Sequence, residues 1–269
     1  MVTDSKVKLI RPLAKDGENE VNLICFPCAG GSFTTYRNWP QVPGWCKKFG
    51  VELPGRGISR SQKPFTRMDD VVTALLQEIN TFEPMPMVFM GHSLGAWIAY
   101  ELCREMERAG LKLPVHLIIS GSLPIVLKRN PPFVHDMSLL ALRDELRELG
   151  GTPDAVLDSL ELLAVFKESI QADFEIFETH QHRHLSPINM DVSVWAAQDD
   201  PRIPIEKSII WKRFFSGEVN EHCFNGGHMF YDKPWNKDKT NALIVSELEK
   251  SRRNHSKNGD RNAHLKLAS

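Results

Sequence analysis

Short apolar runs alternate with amphipathic segments along most of the chain. The runs have the length of strands, and several are apolar throughout, as parallel strands buried on both faces of a sheet are. The segments between them repeat apolar residues every three or four positions, which is the spacing of a helix that buries one face. The predicted strands are residues 21–26, 45–53, 87–90, 115–120, 192–196 and 219–224, and the predicted helices are 69–82, 96–109, 206–215 and 240–250.

Alternation of strand and helix is typical of a doubly wound parallel sheet, so the predicted fold class is α/β with helices flanking a mostly parallel sheet. The alternation stops at residues 123–185, which contain no strand-like run. Two helical stripes take its place, formed by Leu139, Leu142, Leu146 and Leu149 and by Leu163, Phe166, Ile170, Phe174 and Phe177. We interpret this insertion as a helical lid over a site on the sheet, although the same stripes also suit plain core packing.

The remaining segments suggest one domain with two short extensions. Residues 1–20 are polar and are expected to form an irregular lead-in or a weak edge strand. Residues 21–250 form the predicted α/β domain, and no repeat or low-complexity linker divides it. Residues 251–269 are rich in Arg and Lys and also contain Asn, Ser and Gly, and we expect a disordered tail there.

The composition indicates which partners, which redox state of the cysteines and which cellular compartment to expect. The 269 residues include 33 basic and 34 acidic side chains, a balance that favours neither nucleic acid nor an anionic membrane as partner. The five cysteines suit reduced thiols better than a disulfide framework. No signal-like or membrane-spanning apolar run is present, so we expect a cytoplasmic protein, and we expect it to be a monomer.

One motif organises the chemistry of the chain. The run 87–90 leads into Gly91-His92-Ser93-Leu94-Gly95, and a helical segment follows directly. A strand, a tight turn with this Gly-x-Ser-x-Gly pattern and a helix together predict a nucleophile elbow. In such an elbow the glycines remove side chains that would collide, the Ser93 hydroxyl is exposed as the nucleophile, and the Leu94 amide faces the oxygen of the group under attack.

A serine nucleophile needs a base and a group that orients the base, and in this fold they follow the serine in the order acid and then histidine. Asp200 comes just after the predicted strand 192–196, and His228 lies in a Gly-Gly-His turn after the strand 219–224. We therefore predict a Ser93–Asp200–His228 triad. Asp199 is the alternative acid, and an ordinary Asp-Pro turn and a structural loop histidine are the plainer interpretations.

Three further features have weaker implications. The turn 28–32 follows a buried strand and contains two glycines, so its backbone amides are candidates for the second donor to an oxyanion. Within it, Cys28 is interpreted as a small filler rather than a reactive thiol. His92 is expected to pack beneath the nucleophile. His180, His182 and His184 lack a carboxylate or cysteine at a usable sequence spacing, so we interpret them as solvated rather than as metal ligands.

Taken together, five motifs resemble those of the type II thioesterases, which are stand-alone α/β hydrolases that serve polyketide and nonribosomal peptide synthases. The motifs are LICFPCAGGS at 23–32, ELPGRG at 52–57, GHSLG at 91–95, LGGTP at 149–153 and GGHMF at 226–230. The resemblance runs from about residue 21 to 250. Each motif alone is widespread among hydrolases, but the set in this order is specific.

The resemblance implies an α/β-hydrolase fold and hydrolysis of acyl or aminoacyl thioesters held on the phosphopantetheine arm of acyl or peptidyl carrier proteins. It implies that the enzyme clears stalled or misprimed arms and has no cofactor or metal of its own. By the family pattern Ser93 is the nucleophile, His228 the base and Asp200 its orienter, while the amides of Ala29 and Leu94 form the oxyanion hole. Cys28 departs from the residue that often stands there in the family.

Three other functions remain open at this level, and one of them is a generic carboxylesterase. A branch of the same family releases medium-chain fatty acids from fatty acid synthase, so a fatty acyl thioesterase is one alternative. A hydrolase-fold binding protein without catalytic activity is another, although the intact Ser93, Asp200 and His228 argue against it. Labelling by a fluorophosphonate probe would separate an active serine hydrolase from the binding protein.

Overall fold

A computed structural model of the chain describes residues 8–13, 19–124, 126–127, 131–183 and 186–267, the last twelve of these by their backbone alone. Its centre is a seven-stranded sheet in the order β1-β3-β2-β4-β5-β6-β7, in which only the β1–β3 pair is antiparallel. This confirms the predicted α/β class. The strands are β1 Ile10–Pro12, β2 Val21–Phe26, β3 Cys46–Val51, β4 Met87–His92, β5 His116–Ser120, β6 Asp191–Ala197 and β7 Val219–Phe224.

The parallel register brings the carboxyl ends of six strands, β2 to β7, to one edge of the sheet. Phe26 at the end of β2 pairs with Gly91 of β4, and His92 at the end of β4 pairs with Ser120 of β5. Strands β6 and β7 continue the same alignment, with Ala197 opposite Phe224. The loops that follow β2, β4, β6 and β7 therefore emerge side by side, which is where open α/β sheets bind their ligands.

Strand β1 realises the weak edge strand predicted for the lead-in. It pairs with β3 from Ile10 opposite Val51 to Pro12 opposite Phe49. The carboxylate of Glu78 accepts hydrogen bonds from the amides of Leu9 and Ile10, so the edge is also covered from one side. Residues 1–7 and 14–18 of the predicted lead-in lie outside the described residues.

Helices cover both faces of the sheet. On one face, α1 (Met68–Ile79) and α2 (Leu94–Arg108) pack on the strands and share the larger apolar core. On the other face, α7 (Pro234–Leu267) contributes Ile244 and Leu248 to a second core, together with aromatic side chains of the loops. Among the described residues, no helix combines the length and the apolarity that a bilayer crossing requires.

After a 3-10 turn at Val134–Asp136, the described part of the interval between β5 and β6 contains three α-helices. They are α3 (Leu139–Leu149), α4 (Asp154–Leu157) and α5 (Leu160–Thr179), and we call them the lid helices. The hydroxyls of Ser138 and Ser159 cap α3 and α5. Their predicted apolar stripes meet in a core of their own, formed by Val134, Leu142, Leu146, Leu157, Leu163 and Ile170. Residues 125, 128–130 and 184–185 of the predicted insertion lie outside the described residues.

The end of the chain corrects one prediction. The last helix was expected at 240–250 with disorder after it, but α7 begins at Pro234 and its backbone continues to Leu267. Beyond Lys250, the buried Ser251 donates to the Glu247 carbonyl, and Arg252 pairs with Glu20 at 2.6 Å. The Arg252–Glu20 contact reaches across the fold, and the helix continues past its apolar stripe, so its polar composition did not predict its end. Residues 268–269 are outside the described part.

The predicted helix 206–215 is divided into two segments. The structure has one α-helical turn, α6 (Ile205–Ser208), followed by tighter 3-10 turns at Ile209–Phe214. Trp211 and Phe214 of this segment are buried and pack against Tyr100 of α2. The apolar spacing therefore identified the buried face correctly and the helix type only in part.

Candidate active site

Ser93 occupies the sharp turn between β4 and α2, as the predicted elbow requires. Its backbone has φ 54° and ψ −119°, and it is the one non-glycine with positive φ among the described residues. A side chain in this conformation costs on the order of 1–3 kcal/mol, and the surrounding structure must enforce it. The amide of Ser93 donates to the Ser120 carbonyl at 2.9 Å, which holds the turn against β5.

The two motif glycines are explained by close backbone approaches. A Cβ on Gly91 would collide with the carbonyl of Gly95 and with the backbone of Ala96 one turn into α2. A Cβ on Gly95 would collide with the carbonyl of Phe26 at the end of β2. Glycine at both positions therefore lets α2 begin directly over the strand ends, and it brings the loop after β2 next to the elbow.

His228 and Asp200 form the second part of the site. The Nδ1 atom of His228 lies 2.7 Å from Oδ2 of Asp200, whose other oxygen accepts hydrogen bonds from the amides of Arg202 and Ile203. Burial alone would raise the pKa of Asp200, but the hydrogen bond and charge of His228 and the two amides outweigh it and lower that pKa. Asp200 is therefore an ionised carboxylate, held in place to orient the imidazole.

Asp199, the alternative acid, has a different partner. Its carboxylate accepts a hydrogen bond from the amide of Gly226 at 3.1 Å, and its own amide donates to the Gly226 carbonyl. It is exposed, whereas Asp200 is 4% exposed. The geometry thus pairs His228 with Asp200 and uses Asp199 to hold together the loops that follow β6 and β7.

Ser93 and His228 line the same cavity. The walls of this cavity also include Ala29, from the loop after β2, and Leu94, the first residue of α2. The first amides of a helix have no acceptor within it, so the Leu94 N–H is available to an oxygen in the cavity. The structure therefore brings together all five residues that the sequence assigned to the site, with Asp200 behind His228.

The space around Ser93 and His228 divides into two cavities. The smaller, of about 280 Å³, is walled mainly by apolar side chains. They are Leu123, Leu127, Leu149, Phe174, Phe177 and Ile203. The larger, of about 420 Å³, extends between the loop after β2 and the turn after α3, and its walls are also mainly apolar. Leu146, Val156, Phe166 and Ile170 of the lid line it together with Met229, and Ser32, Thr35 and residues 150–152 add hydroxyls and backbone groups. The lid helices contribute to both cavities, which agrees with the interpretation of the insertion as a cover for the site.

An ion pair beneath the site was missed in the sequence. Arg56 and Asp173 are both buried, and the guanidinium makes two contacts of 2.6 Å with the carboxylate. Asp173 also accepts from the amide of Gly30 at 2.7 Å, while Arg56 donates to the Gly31 carbonyl at 3.0 Å. The pair thus ties lid helix α5 to residues 28–31, which we call the oxyanion loop. In the sequence, this pair is indicated by one aspartate, Asp173, which comes three positions after Ile170 on the apolar stripe of α5.

His92 and Cys28 behave as expected from the sequence. His92 is fully buried beneath the elbow, where Nδ1 lies 3.0 Å from the Ser120 hydroxyl and the ring packs on Tyr231 and His228. Burial and then the neighbouring His228 hold its pKa well below the usual value. Burial likewise raises the pKa of the Cys28 thiol to about 11, which keeps it protonated at neutral pH.

The histidine pair after α5 corrects another prediction. His180 and His182 were expected to be solvated and to lack a carboxylate, but both contact Glu101 of α2. Their side chains are 9% and 3% exposed, and that of Glu101 is 7% exposed. Glu101 is 79 positions away from His180, so spacing along the sequence could not reveal it. His184 lies outside the described residues.

Comparison with known proteins identifies the family. A family model described as the thioesterase domain matches residues 21–263. The chain belongs to the thioesterase family. This match covers strands β2 to β7, the elbow, the lid helices and the loops that carry Asp200 and His228, so every residue of the site described above lies within the family's domain.

Individual relatives of this thioesterase agree with that assignment. It is 27% identical over 216 residues to the gramicidin S biosynthesis protein GrsT of Aneurinibacillus migulanus, covering 78% of this chain and 83% of that one. It is 28% identical over 249 residues to the medium-chain S-acyl fatty acid synthase thioesterase of Homo sapiens, covering 89% and 91%. The solved type II thioesterase BorB, from the borrelidin biosynthetic cluster, is 27% identical with a TM-score of 0.77, covering 91% and 97%. The fold is thus the predicted α/β-hydrolase fold.

Proposed function

We propose that this thioesterase hydrolyses acyl and aminoacyl thioesters on the phosphopantetheine arm of carrier proteins, clearing stalled or misprimed polyketide and nonribosomal peptide synthases. The observation that carries the proposal is that His228, held by Asp200, shares a cavity with Ser93 beneath the lid helices. Membership of the thioesterase family, with relatives such as GrsT and BorB, supports the class of substrate.

In the proposed mechanism Ser93 is the nucleophile. Its Oγ attacks the thioester carbonyl carbon while its proton passes to Nε2 of His228, whose Nδ1 is held by Asp200. The C–S bond then breaks, and the proton moves from His228 to the departing pantetheine sulfur. Water, activated by the same imidazole, attacks the acyl-enzyme, and the acid leaves as Ser93 regains its proton. These steps balance without any cofactor, so we propose none for the reaction.

The oxygen that becomes negative in each tetrahedral intermediate needs donors that are in place beforehand. We assign this role to the amides of Ala29 and Leu94, whose residues line the cavity on either side of Ser93. Leu94 is fixed by the start of α2. Ala29 belongs to the oxyanion loop, whose next residue, Gly30, is held by Asp173. The site is therefore preorganised from two directions, by the elbow and by the lid.

The two cavities suit the two ends of the substrate. The smaller one is walled by aliphatic and aromatic side chains, and we assign it to the acyl group. The larger one combines apolar side chains with hydroxyls and backbone groups that can bind the amides of the pantetheine arm, and we assign it to that arm. A carrier protein would then dock outside the larger cavity, near the turn at residues 150–153.

A medium-chain fatty acyl thioesterase is the second candidate. The observations that favour it are the apolar smaller cavity and the similarity to the human medium-chain enzyme. Both functions use the same chemistry and differ in the acyl groups that the smaller cavity accepts. Chain-length preference therefore decides between them.

The deciding experiment incubates the enzyme with carrier proteins loaded with acetyl, aminoacyl, short branched and C8–C12 acyl groups. Mass spectrometry of the intact carrier then measures the loss of each group. Hydrolysis of short and aminoacyl groups supports the editing function, and preference for C8–C12 chains supports the fatty acyl alternative. Ser93→Ala serves as the matched control for spontaneous hydrolysis. Faster turnover of free nitrophenyl esters than of every carrier thioester would refute both functions.

A further inference from the structure

Three ligand-type side chains meet away from the active site. Oε1 of Glu101 lies 3.0 Å from Nε2 of His180 and 2.8 Å from Nδ1 of His182. All three of these atoms lie within 4.8 Å of one another. All three side chains are at least nine-tenths buried. We call this group the Glu101 cluster.

The donor set of the Glu101 cluster is that of a transition-metal site. Two imidazoles and one carboxylate suit Zn²⁺ and related divalent ions, and three protein ligands with a fourth water is a common arrangement. Ligands bound at about 2.0–2.2 Å to a tetrahedral ion lie roughly 3.3–3.5 Å apart. The observed separations from Glu101 of 2.8 and 3.0 Å are only a few tenths of an ångström shorter, so small side-chain shifts suffice.

The surroundings keep these side chains in place. The His180 ring packs against Trp97 with centroids 6.5 Å apart, and the His182 ring packs against Tyr100 and Phe214 at 5.6 and 5.8 Å. Glu101 is fixed on α2. Aromatic walls of this kind limit rotation of the imidazoles, and therefore less conformational entropy is lost when an ion binds.

We propose that the Glu101 cluster is a binding site for a divalent transition-metal ion, with Zn²⁺ as the expected occupant and with Nε2 of His180, Nδ1 of His182 and Oε1 of Glu101 as its protein ligands. A hydrogen on either coordinating nitrogen moves to the other ring nitrogen or to solvent when the ion binds.

An ion has a route to the cluster. A cavity of about 320 Å³ is lined by Glu101 and His180 and by polar side chains that include Asp69, Glu105, Arg108 and Arg183. This cavity is open to solvent and polar, so it can supply both the ion and the water that completes its coordination. The carboxylate of Glu105 is itself paired with Arg108, and we therefore do not count it as a ligand.

The proposed site is separate from the catalytic one and connected to it by α2. Glu101 comes eight positions after Ser93, or roughly 12 Å along the helix. His180 directly follows lid helix α5, which ends at Thr179. A bound ion would thus link the segment that follows lid helix α5 to helix α2, which begins next to Ser93. We assign the ion a structural role at this junction between α5 and α2, and the proposal does not depend on the proposed catalytic function.

The first test measures metal content in the full-length protein. The protein is stripped with a chelator, incubated with Zn²⁺ and passed through ultrafiltration, and the retained metal is quantified by mass spectrometry. One equivalent per chain is expected. Glu101→Gln and His182→Asn should weaken binding by more than the roughly 10–100-fold that loss of an outer-shell partner costs. Retention of no equivalent by the wild type would overturn the proposal.

Matched controls exclude other histidine–carboxylate pairs. His135→Asn removes an imidazole whose Nδ1 lies 2.6 Å from Glu178, and His228→Asn removes the active-site imidazole. Both variants should retain the full equivalent. Equal Zn²⁺ binding by Glu101→Gln and the wild type, or loss of the ion in either control, would place the metal elsewhere and refute the site.

Spectroscopy and exchange of amide hydrogens cover the case in which a cluster variant fails to fold. Co²⁺ added to the stripped wild type should give the intense visible bands of a four-coordinate ion. Zn²⁺ should slow hydrogen exchange at residues 179–183 without slowing it around His228. A Co²⁺ spectrum typical of six water-like ligands, or Zn²⁺ protection confined to the active-site loops, would overturn the assignment.

Discussion

Asp173 accepts a hydrogen bond from the Gly30 amide at 2.7 Å, so a lid helix directly holds the loop that carries Ala29. The same carboxylate binds Arg56 through two contacts of 2.6 Å. Since Arg56 also donates to the Gly31 carbonyl, the oxyanion loop is fixed at two consecutive residues. A change at this buried pair should therefore affect both stability and catalysis.

We predict that Asp173→Ala lowers the free energy of unfolding by about 3–5 kcal/mol, because it leaves the buried Arg56 without its partner. Denaturant unfolding measures this change. In the exposed pair of Arg67 with Asp69, Asp69→Ala should cost only about 0.5–1 kcal/mol. Equal losses in the two variants would show that the buried pair has no special role.

The double variant Arg56→Met/Asp173→Leu separates stability from catalysis. Apolar side chains of similar size often restore the stability that half of a buried ion pair loses. The Gly30 amide, however, still lacks its acceptor, so the oxyanion loop remains misplaced. We predict recovered stability with kcat still reduced roughly 10–100-fold, less than complete deletion of an oxyanion donor costs. Full recovery of kcat would limit the pair to a structural role.

Variants of Ser93 test the strained turn and the nucleophile together. Ser93→Ala and Ser93→Gly should both abolish turnover of carrier-bound thioesters. Alanine retains the strain at φ 54°, whereas glycine adopts this conformation readily. We therefore predict that Ser93→Ala unfolds at nearly the wild-type denaturant concentration and that Ser93→Gly is about 1 kcal/mol more stable than Ser93→Ala. A less stable glycine variant would contradict the proposed strain.

Matched variants of the two adjacent aspartates, Asp199 and Asp200, test which of them is the acid that orients His228. Asp200→Asn removes the carboxylate that orients His228, and kcat should fall by on the order of 10³–10⁴-fold. In Asp199→Asn the new amide oxygen can still accept from Gly226, so kcat should stay close to that of the wild type. Steady-state kinetics on one acyl carrier substrate compares them. The reverse order of damage would assign the acid role to Asp199.

The parts of the molecule that local chemistry determines were predictable from the sequence. The strand predicted at 21–26 coincides with β2, because an apolar run between a polar lead-in and a proline has few other solutions. The elbow was recognisable because a strained serine needs glycine on both sides. The pairing of His228 with Asp200, and the cavity that His228 shares with Ser93, followed from chain order, since parallel strands bring their carboxyl ends to one edge.

The features that sequence analysis missed depend on partners far along the chain. Arg56 and Asp173 are separated by 117 positions, and Arg252 pairs with Glu20 across 232. No periodicity links such residues, and each one looks like an ordinary surface charge when taken alone. Tertiary packing brings such residues together and buries Arg56 and Asp173, and it also explains why the end of α7 and the environment of His180 were predicted wrongly.

Histidine burial predicts how stability depends on pH. Burial and then His228 hold the pKa of His92 well below its ordinary value, and burial also lowers the pKa of His116. Above the unfolded-state pKa of about 6.5 neither state binds the proton, so these groups have no effect. Below this pH the two imidazoles bind a proton in the unfolded state but not in the folded state. The free energy of unfolding should therefore fall as pH decreases below 6.5, by at most about 1.4 kcal/mol per pH unit for each histidine.

His92→Asn isolates the contribution of His92. Asparagine can keep a hydrogen bond to Ser120 but does not titrate, so the variant should lose less stability than the wild type between pH 7 and 5, as measured by urea unfolding at each pH. His116 is opposite Val88, four residues along β4 from His92, or roughly 13 Å away. Since sites this far apart are additive, His116→Asn should flatten the curve independently. The contrary result would be a double variant, His92→Asn/His116→Asn, that loses as much stability between pH 7 and 5 as the wild type. Protonation of other groups would then cause the loss of stability in acid, and the two buried imidazoles would already be charged in the folded state.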